Sequence, residues 1–407
     1  MNSLSRKCAW SLLLFGGCGS VMATDAVVSS CNESAFTSAF NTVNSSGAGT
    51  ITFSCSGSIV FTGYKQVSGT VVIDGGANAI TFDGGGASAF FQVYASGALT
   101  LKKLNLSKGG LNGAHPVESF GLLTLDQVTA TLNSVPGSVV YSSGTALIRK
   151  STFSYNNITG AFADYAGAAV RNEGGEVSIS GSTFAHNSTD NTSTGSGGAI
   201  YNNGGTLHVS GSTFTVNGSY NGGAIYSNGE LHVINSTFQG NTAFSGGGAV
   251  YQSSSSNSSL DFNTVAGNSA VFGAGVYNGG AGTMTVGKSI FAGNSTGNCD
   301  GANFVSGGYN LANDTGCGGF FGVTDTSSAT LPLGALANNG GPTQTMTLSA
   351  GNAAINKVPA ASCKDSAGTT VRYDQRVYTR PTGSTCDSGA YQHTGISDRI
   401  FGDGFDF

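Results

Sequence analysis

The chain has 407 residues, 65 of them glycine, with 9% charged residues and a net charge of −5. An acidic, charge-poor chain does not suit nucleic acid or an anionic membrane surface as partner. The glycine load and the shortage of Glu and Lys also exclude helical repeats, which need helix formers in a 3.6-residue period.

Residues 1–23 come first. Arg6 and Lys7 precede a short apolar run, Ala9–Phe15, and Val21-Met22-Ala23 supplies a small-residue cleavage site. This reads as a secretory signal peptide, too short to remain as a membrane span. It predicts an exported chain with no transmembrane span once the segment is removed. The rival is a lipoprotein signal, Leu14-Phe15-Gly16-Gly17-Cys18, which would acylate Cys18; Phe15 fits that signal poorly.

Residues 24–65 read as an N-terminal cap. Ala35–Phe40 is one of the few helix-compatible stretches, and an amphipathic segment would cover the open end of a stacked sheet. From 66 the chain becomes a series of strand-then-turn units. Val71-Val72-Ile73-Asp74-Gly75-Gly76 and Ile80-Thr81-Phe82-Asp83-Gly84-Gly85 are early ones, and Leu99–Leu101 and Leu122–Asp126 continue the pattern.

Beyond 150 the units become a repeat. A Phe-x-x-Asn phrase occurs at Phe153/Asn156, Phe184/Asn187, Phe214/Asn217, Phe238/Asn241 and Phe291/Asn294, with Val265/Asn268 as a softened copy. A second phrase, typified by Gly-Gly-Ala-Ile-Tyr, anchors Val170, Ile200, Ile225, Val250 and Val276. Both phrases recur every 24 to 31 residues, so they belong to one repeated unit, which means a solenoid. The apolar residues alternate with polar ones over short runs such as Leu231-His232-Val233, which is strand periodicity. The solution is an all-β, single-stranded, right-handed parallel β-helix over 66–320. It would have roughly ten coils, a length of about 50 Å and a cap at each end.

Like positions would stack at about 4.8 Å. Phe184, Phe214 and Phe238 would form one inward column, and Ile200, Ile225 and Val250 another. Asn187, Asn217 and Asn241 would form an amide ladder at a turn, where Asn tolerates left-handed backbone angles.

Six cysteines follow the signal segment, in three local pairs outside the clean repeat. An even number in an exported chain suggests disulfides, predicted as Cys31–Cys55, Cys299–Cys317 and Cys363–Cys386. No Cys-x-x-Cys spacing supports zinc. From 321 the repeat gives way to a C-terminal module reaching 395. Residues 396–407 are a short acidic-aromatic tail.

The two phrases resemble those of the chlamydial polymorphic outer membrane proteins and other bacterial right-handed β-helix proteins. The segment 335–358, followed by Asp374-Gln375-Arg376, Arg380-Pro381 and Cys386-Asp387-Ser388-Gly389-Ala390-Tyr391, looks like the choice-of-anchor Q module of exported bacterial β-helix proteins. The resemblance covers about 66–395. It implies a secreted or surface-associated protein of a Gram-negative-type bacterium, on the pectate-lyase-like fold. It brings no assigned catalytic residue with it.

Chemistry on such a scaffold needs charged groups clustered on one outer face. Aligned on the repeat, Asp164, Glu173, Glu176, Asp190, Glu230 and Asp261 do not fall above one another. Arg149, Lys150, Arg171 and Lys288 join no acid cluster. Asp74 and Asp83 precede glycines and read as turn residues, with calcium the sharper alternative; neither a cofactor nor a metal site is assigned. His208 and His232 lie in Leu-His-Val phrases one coil apart, with both imidazoles outward and Glu230 on the same strand face as His232. They form a candidate polar pair for metal binding or acid–base work. Tyr201, Tyr226, Tyr251 and Tyr277 form an outward ladder, the preferred binding surface and equally a stacked wall. Asp374, Arg376, Arg380 and Asp387 read as an ion-pair cluster holding a cap together.

These readings favour a non-enzymatic, exported protein that contacts a polysaccharide or other cell-surface component. The alternatives are a polysaccharide lyase or glycoside hydrolase with its site in the irregular coils 66–150, and a purely structural envelope component.

Overall fold

The computed structural model describes residues 23–110, 115–158, 166–189 and 195–394. Residues 1–22 with Cys18, the acids Asp164 and Asp190, and the tail 396–407 lie outside the described residues.

The chain forms a parallel β-solenoid of about eleven turns. Each regular coil has three faces. Val170–Glu173, Val250–Gln252 and Val276–Asn278 lie on the first; Glu176–Ser180, Ser258–Asp261 and Met284–Gly287 lie on the second. In two coils these faces fuse into the long strands Ile200–Ser210 and Ile225–Ile234. Thr152–Ser154, Thr183–Ala185, Thr213–Thr215, Thr237–Gln239 and Thr264–Ala266 make the third face, whose sheet has eleven strands. The first rung lies earlier than residue 66, since Ala48–Phe53 already pairs in parallel with Thr70–Asp74.

Register is what turns the repeat into a core. Phe184 pairs with Phe214 and Phe214 with Phe238, and Ile200, Ile225 and Val250 pair in the same way. The rings of Phe153, Phe184, Phe214 and Phe238 stack at 5.1, 4.8 and 4.7 Å, nearly parallel and fully buried. Burying each such ring stabilises the fold by about 1.5–3 kcal/mol.

The asparagine ladder runs inside the coil. Asn133, Asn156, Asn187, Asn217, Asn241 and Asn268 each pass a side-chain N–H to the Oδ1 of the next, at 2.8–3.0 Å, the row ending on Asn294. The left-handed angles belong to the residues just before the ladder. Tyr155, His186, Val216, Gly240 and Gly267 take φ values of 53–67°, whereas the asparagines do not. The corner residue bends the chain, and the bend turns the amide inward. The preceding corner, between second and third faces, also uses one left-handed residue per coil: Lys150, Gly181, Gly211, Asn235, Phe262 and Lys288. Beside it runs a second polar column. The backbone N–H groups of Ser151, Ser182 and Ser212 donate to the hydroxyls of Ser182, Ser212 and Ser236 at 3.1–3.2 Å. Thus the Ser of Ser-Thr-Phe is as structural as the Phe.

The N-terminal end is closed by the helix Glu33–Ser46. Asn32 accepts the Ala35 N–H at its start, and Phe36, Ala39, Phe40 and Val43, spaced along one helix face, are buried. Phe36 packs against Phe53, Phe61, Phe82 and Phe91. All three expected disulfides are formed. At the far end, the segment closed by Cys299–Cys317 and the rings of Phe304, Phe320 and Phe321 cover the last rung.

The C-terminal module does more than cap that end: it returns along the third face. Gln375 donates to Thr213 Oγ1 at 2.8 Å and accepts from Thr237 Oγ1 at 2.6 Å. The Ala390 N–H donates to Thr264 Oγ1, and Asn235 donates to the Tyr373 carbonyl. The outward threonines of the repeat thus form a row of hydroxyls on which the strap lies. Inside the module, Arg376 grips Asp374 at 2.7 Å and sits over the rings of Tyr378 and Tyr391. Arg380 departs from the expected carboxylate pairing: its guanidinium donates to the carbonyls of Asp387 and Gly389 and covers the Phe262 ring. Asp387 accepts the Asn356 and His393 N–H groups. The four charges hold the strap together, and burial, partly offset by Asp374 and Asp387, lowers the Arg380 pKa to about 10.

Candidate functional site

The second face is left open by the strap, and a groove of about 570 Å³ runs across it. Inward Leu207, Val209, Leu231 and Val233 fix the phase of the strands, so the residues between them point out. Three outward columns run along this face, the second and third forming the floor of the groove. The first carries Glu176, Thr206 and Glu230; the second carries Leu147, Ser178, His208, His232 and Ser259; the third carries Arg149, Ser180, Ser210, Ile234 and Asp261. One wall is the strap loop at Asp365 and Ala367.

The alignment of acids differs from the sequence reading. Glu176 and Glu230 do share a column, two coils apart, a coincidence that the unequal coil lengths hid; Arg149 shares its column with Asp261, four coils on, and joins no acid cluster. Glu230 also engages a histidine directly.

His208 and His232 stack with ring centroids 5.0 Å apart and planes 13° apart. Their surroundings are not equivalent. His232 bonds Ser259 Oγ through Nδ1 and Glu230 Oε1 through Nε2, both at 2.9 Å. His208 has no comparable pair, and partial burial and the neighbouring His232 lower its pKa. A carboxylate only accepts, so Glu230 requires the proton on His232 Nε2. In the neutral ring Nδ1 is then the acceptor, and the Ser259 hydroxyl donates to it. Ser259 was invisible to motif reading because it stands where a third histidine would continue the column.

Asp261 sits at the corner between groove and strap. Oδ2 accepts the Ser366 N–H at 3.0 Å, while Oδ1 is buried without a partner. Burial pushes its pKa up to about 6, against the Ser366 hydrogen bonds and Lys288, while Asp365 adds to the rise.

The four tyrosines form the expected column on the first face, with centroids 5.4, 5.1 and 4.9 Å apart. Each is half-buried. Their rings stack on one another, and those of Tyr251 and Tyr277 also lie close to Gly246 and Gly279. A sugar ring therefore meets edges and hydroxyls along the middle of the ladder. The column also extends further than the repeat phrase indicated, since Arg171 lies between Tyr141 and Tyr201, at 6.0 and 5.6 Å from their centroids, and His115 stacks on Tyr141.

Asp74 and Asp83 behave as turn residues, accepting the N–H groups of Gly76 and Gly85 and pairing with Lys102 and Lys108. Among the described residues no three His, Cys, Asp or Glu side chains converge as a metal-ligand set. No helix among them is long and apolar enough to cross a membrane. Three disulfides suggest an oxidising, extracellular environment. No family model matches the chain, and neither a curated protein nor a solved structure matches it.

Proposed function

We propose that this is an exported β-solenoid that holds an extended, uncharged polysaccharide in the groove across its second face. Export would follow from a signal peptide at 1–23, and the module at 321–395 would be of the choice-of-anchor Q type, as its motifs suggest. The observation that carries the reading is the groove itself: an open channel about 570 Å³ in volume, crossing successive coils and lined by serine and histidine side chains among apolar ones. An extended polymer lying across the coils meets a serine or a histidine at each of four successive rungs, Ser178, His208, His232 and Ser259, about 4.8 Å apart. Glu176, Asp261 and Asp365 oppose a polyanion, with Arg149 as the one counter-charge in the lining. The tyrosine hydroxyls on the adjoining face provide a second, weaker contact row.

Native electrophoresis of the purified protein in gels containing a neutral glucan, a xylan or polygalacturonate tests this. Retardation by a neutral polymer, weakened by His208→Ala with His232→Ala, supports the groove. Retardation lost only in Tyr226→Ser with Tyr251→Ser moves the contact to the ladder. Retardation by polygalacturonate alone overturns the choice of an uncharged ligand.

A further inference from the structure

We propose that Ser259, His232 and Glu230 form an acyl-transfer relay that hydrolyses an ester carried by the polymer in the groove. The substrate class rests on the polysaccharide reading above; the relay rests on its own geometry.

A serine hydroxyl becomes a useful nucleophile when a base lies within hydrogen-bond reach and a third group orients that base. Both conditions hold here, at 2.9 Å for each bond, on side chains anchored in adjacent strands. Glu230 fixes the tautomer, which aims the Nδ1 lone pair at Ser259 Oγ. The nitrogens are used in the reverse of the better-known serine-enzyme order, but the roles are the same: nucleophile, base, orienting carboxylate. His232 and Ser259 both line the groove, and His232 keeps 35% of its side-chain surface exposed, so a substrate there reaches the pair without a conformational change. His208 supplies the internal contrast: the same residue type in the same column, lacking the serine and carboxylate bonds. Only one of the two histidines is wired for proton transfer.

In the reaction, Ser259 Oγ bonds to the ester carbonyl carbon and its proton passes to His232 Nδ1. The carbon–oxygen bond to the sugar breaks, and the sugar oxygen leaves with that proton. Water then attacks the acyl-serine carbon and gives its proton to Nδ1. The acid departs as Ser259 Oγ recovers the proton. The sum is ester plus water to alcohol plus carboxylic acid. Thr285, the outward residue one coil beyond Ser259, is the hydroxyl in register to donate to the carbonyl oxygen as charge develops there.

Two measurements on the intact protein test the relay without needing the polymer. A fluorophosphonate probe should label one serine, identified as Ser259 by peptide mass spectrometry, and the protein should hydrolyse p-nitrophenyl acetate. Ser259→Ala should abolish both. Glu230, a positioning residue, should show its role in a split: Glu230→Gln lowers kcat by about 100-fold at unchanged KM. Absence of labelling at Ser259 together with no ester hydrolysis overturns the proposal, whatever the gel retardation shows. Labelling and hydrolysis without retardation by any neutral polymer would uphold the relay and remove the polysaccharide.

Discussion

The coils between 166 and 294 and the strap between 321 and 394 are held together in opposite ways. In the coils the core contacts are copies of a column: Phe214 has Phe184 below and Phe238 above, and Asn217 has Asn187 and Asn241. In the strap the contacts are singular. Arg376 grips one aspartate between two tyrosines, and Arg380 holds two carbonyls over one phenylalanine. A column spreads a fault over neighbouring rungs that can each relax a little. A singular contact has no neighbour to share its loss.

The largest effect should come from the core column. Phe214→Ala removes a fully buried ring from the middle of a stack and should cost about 4 kcal/mol, read from chemical denaturation. A cost below about 1 kcal/mol would mean that the adjoining rings close the gap. Next, Arg376→Met leaves Asp374 buried without its partner and should cost the strap about 3–4 kcal/mol. Limited proteolysis should then cut within 321–394 while the thermal midpoint of the solenoid holds. An equal fall in both would show that strap and coils unfold as one unit.

Asn217→Ala takes the side-chain partner from the Asn187 backbone N–H and from the Phe184 carbonyl, leaves the Asn187 amide only the Phe153 carbonyl, and should cost about 2–3 kcal/mol. The joint between the two regions is sensitive to pH. The Asp261 carboxyl ionises near 4 when unfolded and at about 6 when folded, so between these values the folded state holds the extra proton. Stability should therefore fall by about 2 kcal/mol as pH rises from 4 to 6 and level off above. Asp261→Asn should be the more stable protein at pH 7 and lose this dependence; a parallel pH profile in parent and variant would assign it elsewhere. The smallest effect should be Tyr226→Leu, within about 1 kcal/mol, because the half-buried ladder is not the core.

How much of this was legible follows the same division. Columns of like residues announce themselves, since Phe, Ile, Asn, Tyr and His recur at a fixed place in the unit. The cysteine pairs were readable because each is local and few in number. What escaped depends on unlike residues meeting. Ser259 continues the histidine column in a different chemistry. Glu176 and Glu230 coincide only once the unequal coil lengths are known. The strap's contacts, such as Gln375 with Thr213, join positions 162 residues apart with no repeated phrase to signal them.

The two single-residue corners bear on how such a chain can change. From the second face through the third to the asparagine ladder the residue count is the same in successive coils, because one left-handed residue makes each bend. Differences in coil length therefore gather mainly between the ladder and the next first-face anchor: Asn187 to Ile200 is a longer path than Asn217 to Ile225. That third edge is a place where segments can be lengthened, exchanged or decorated while every rung keeps its register. Variation is routed to the rim beside the tyrosines, and the groove on the second face is insulated from it.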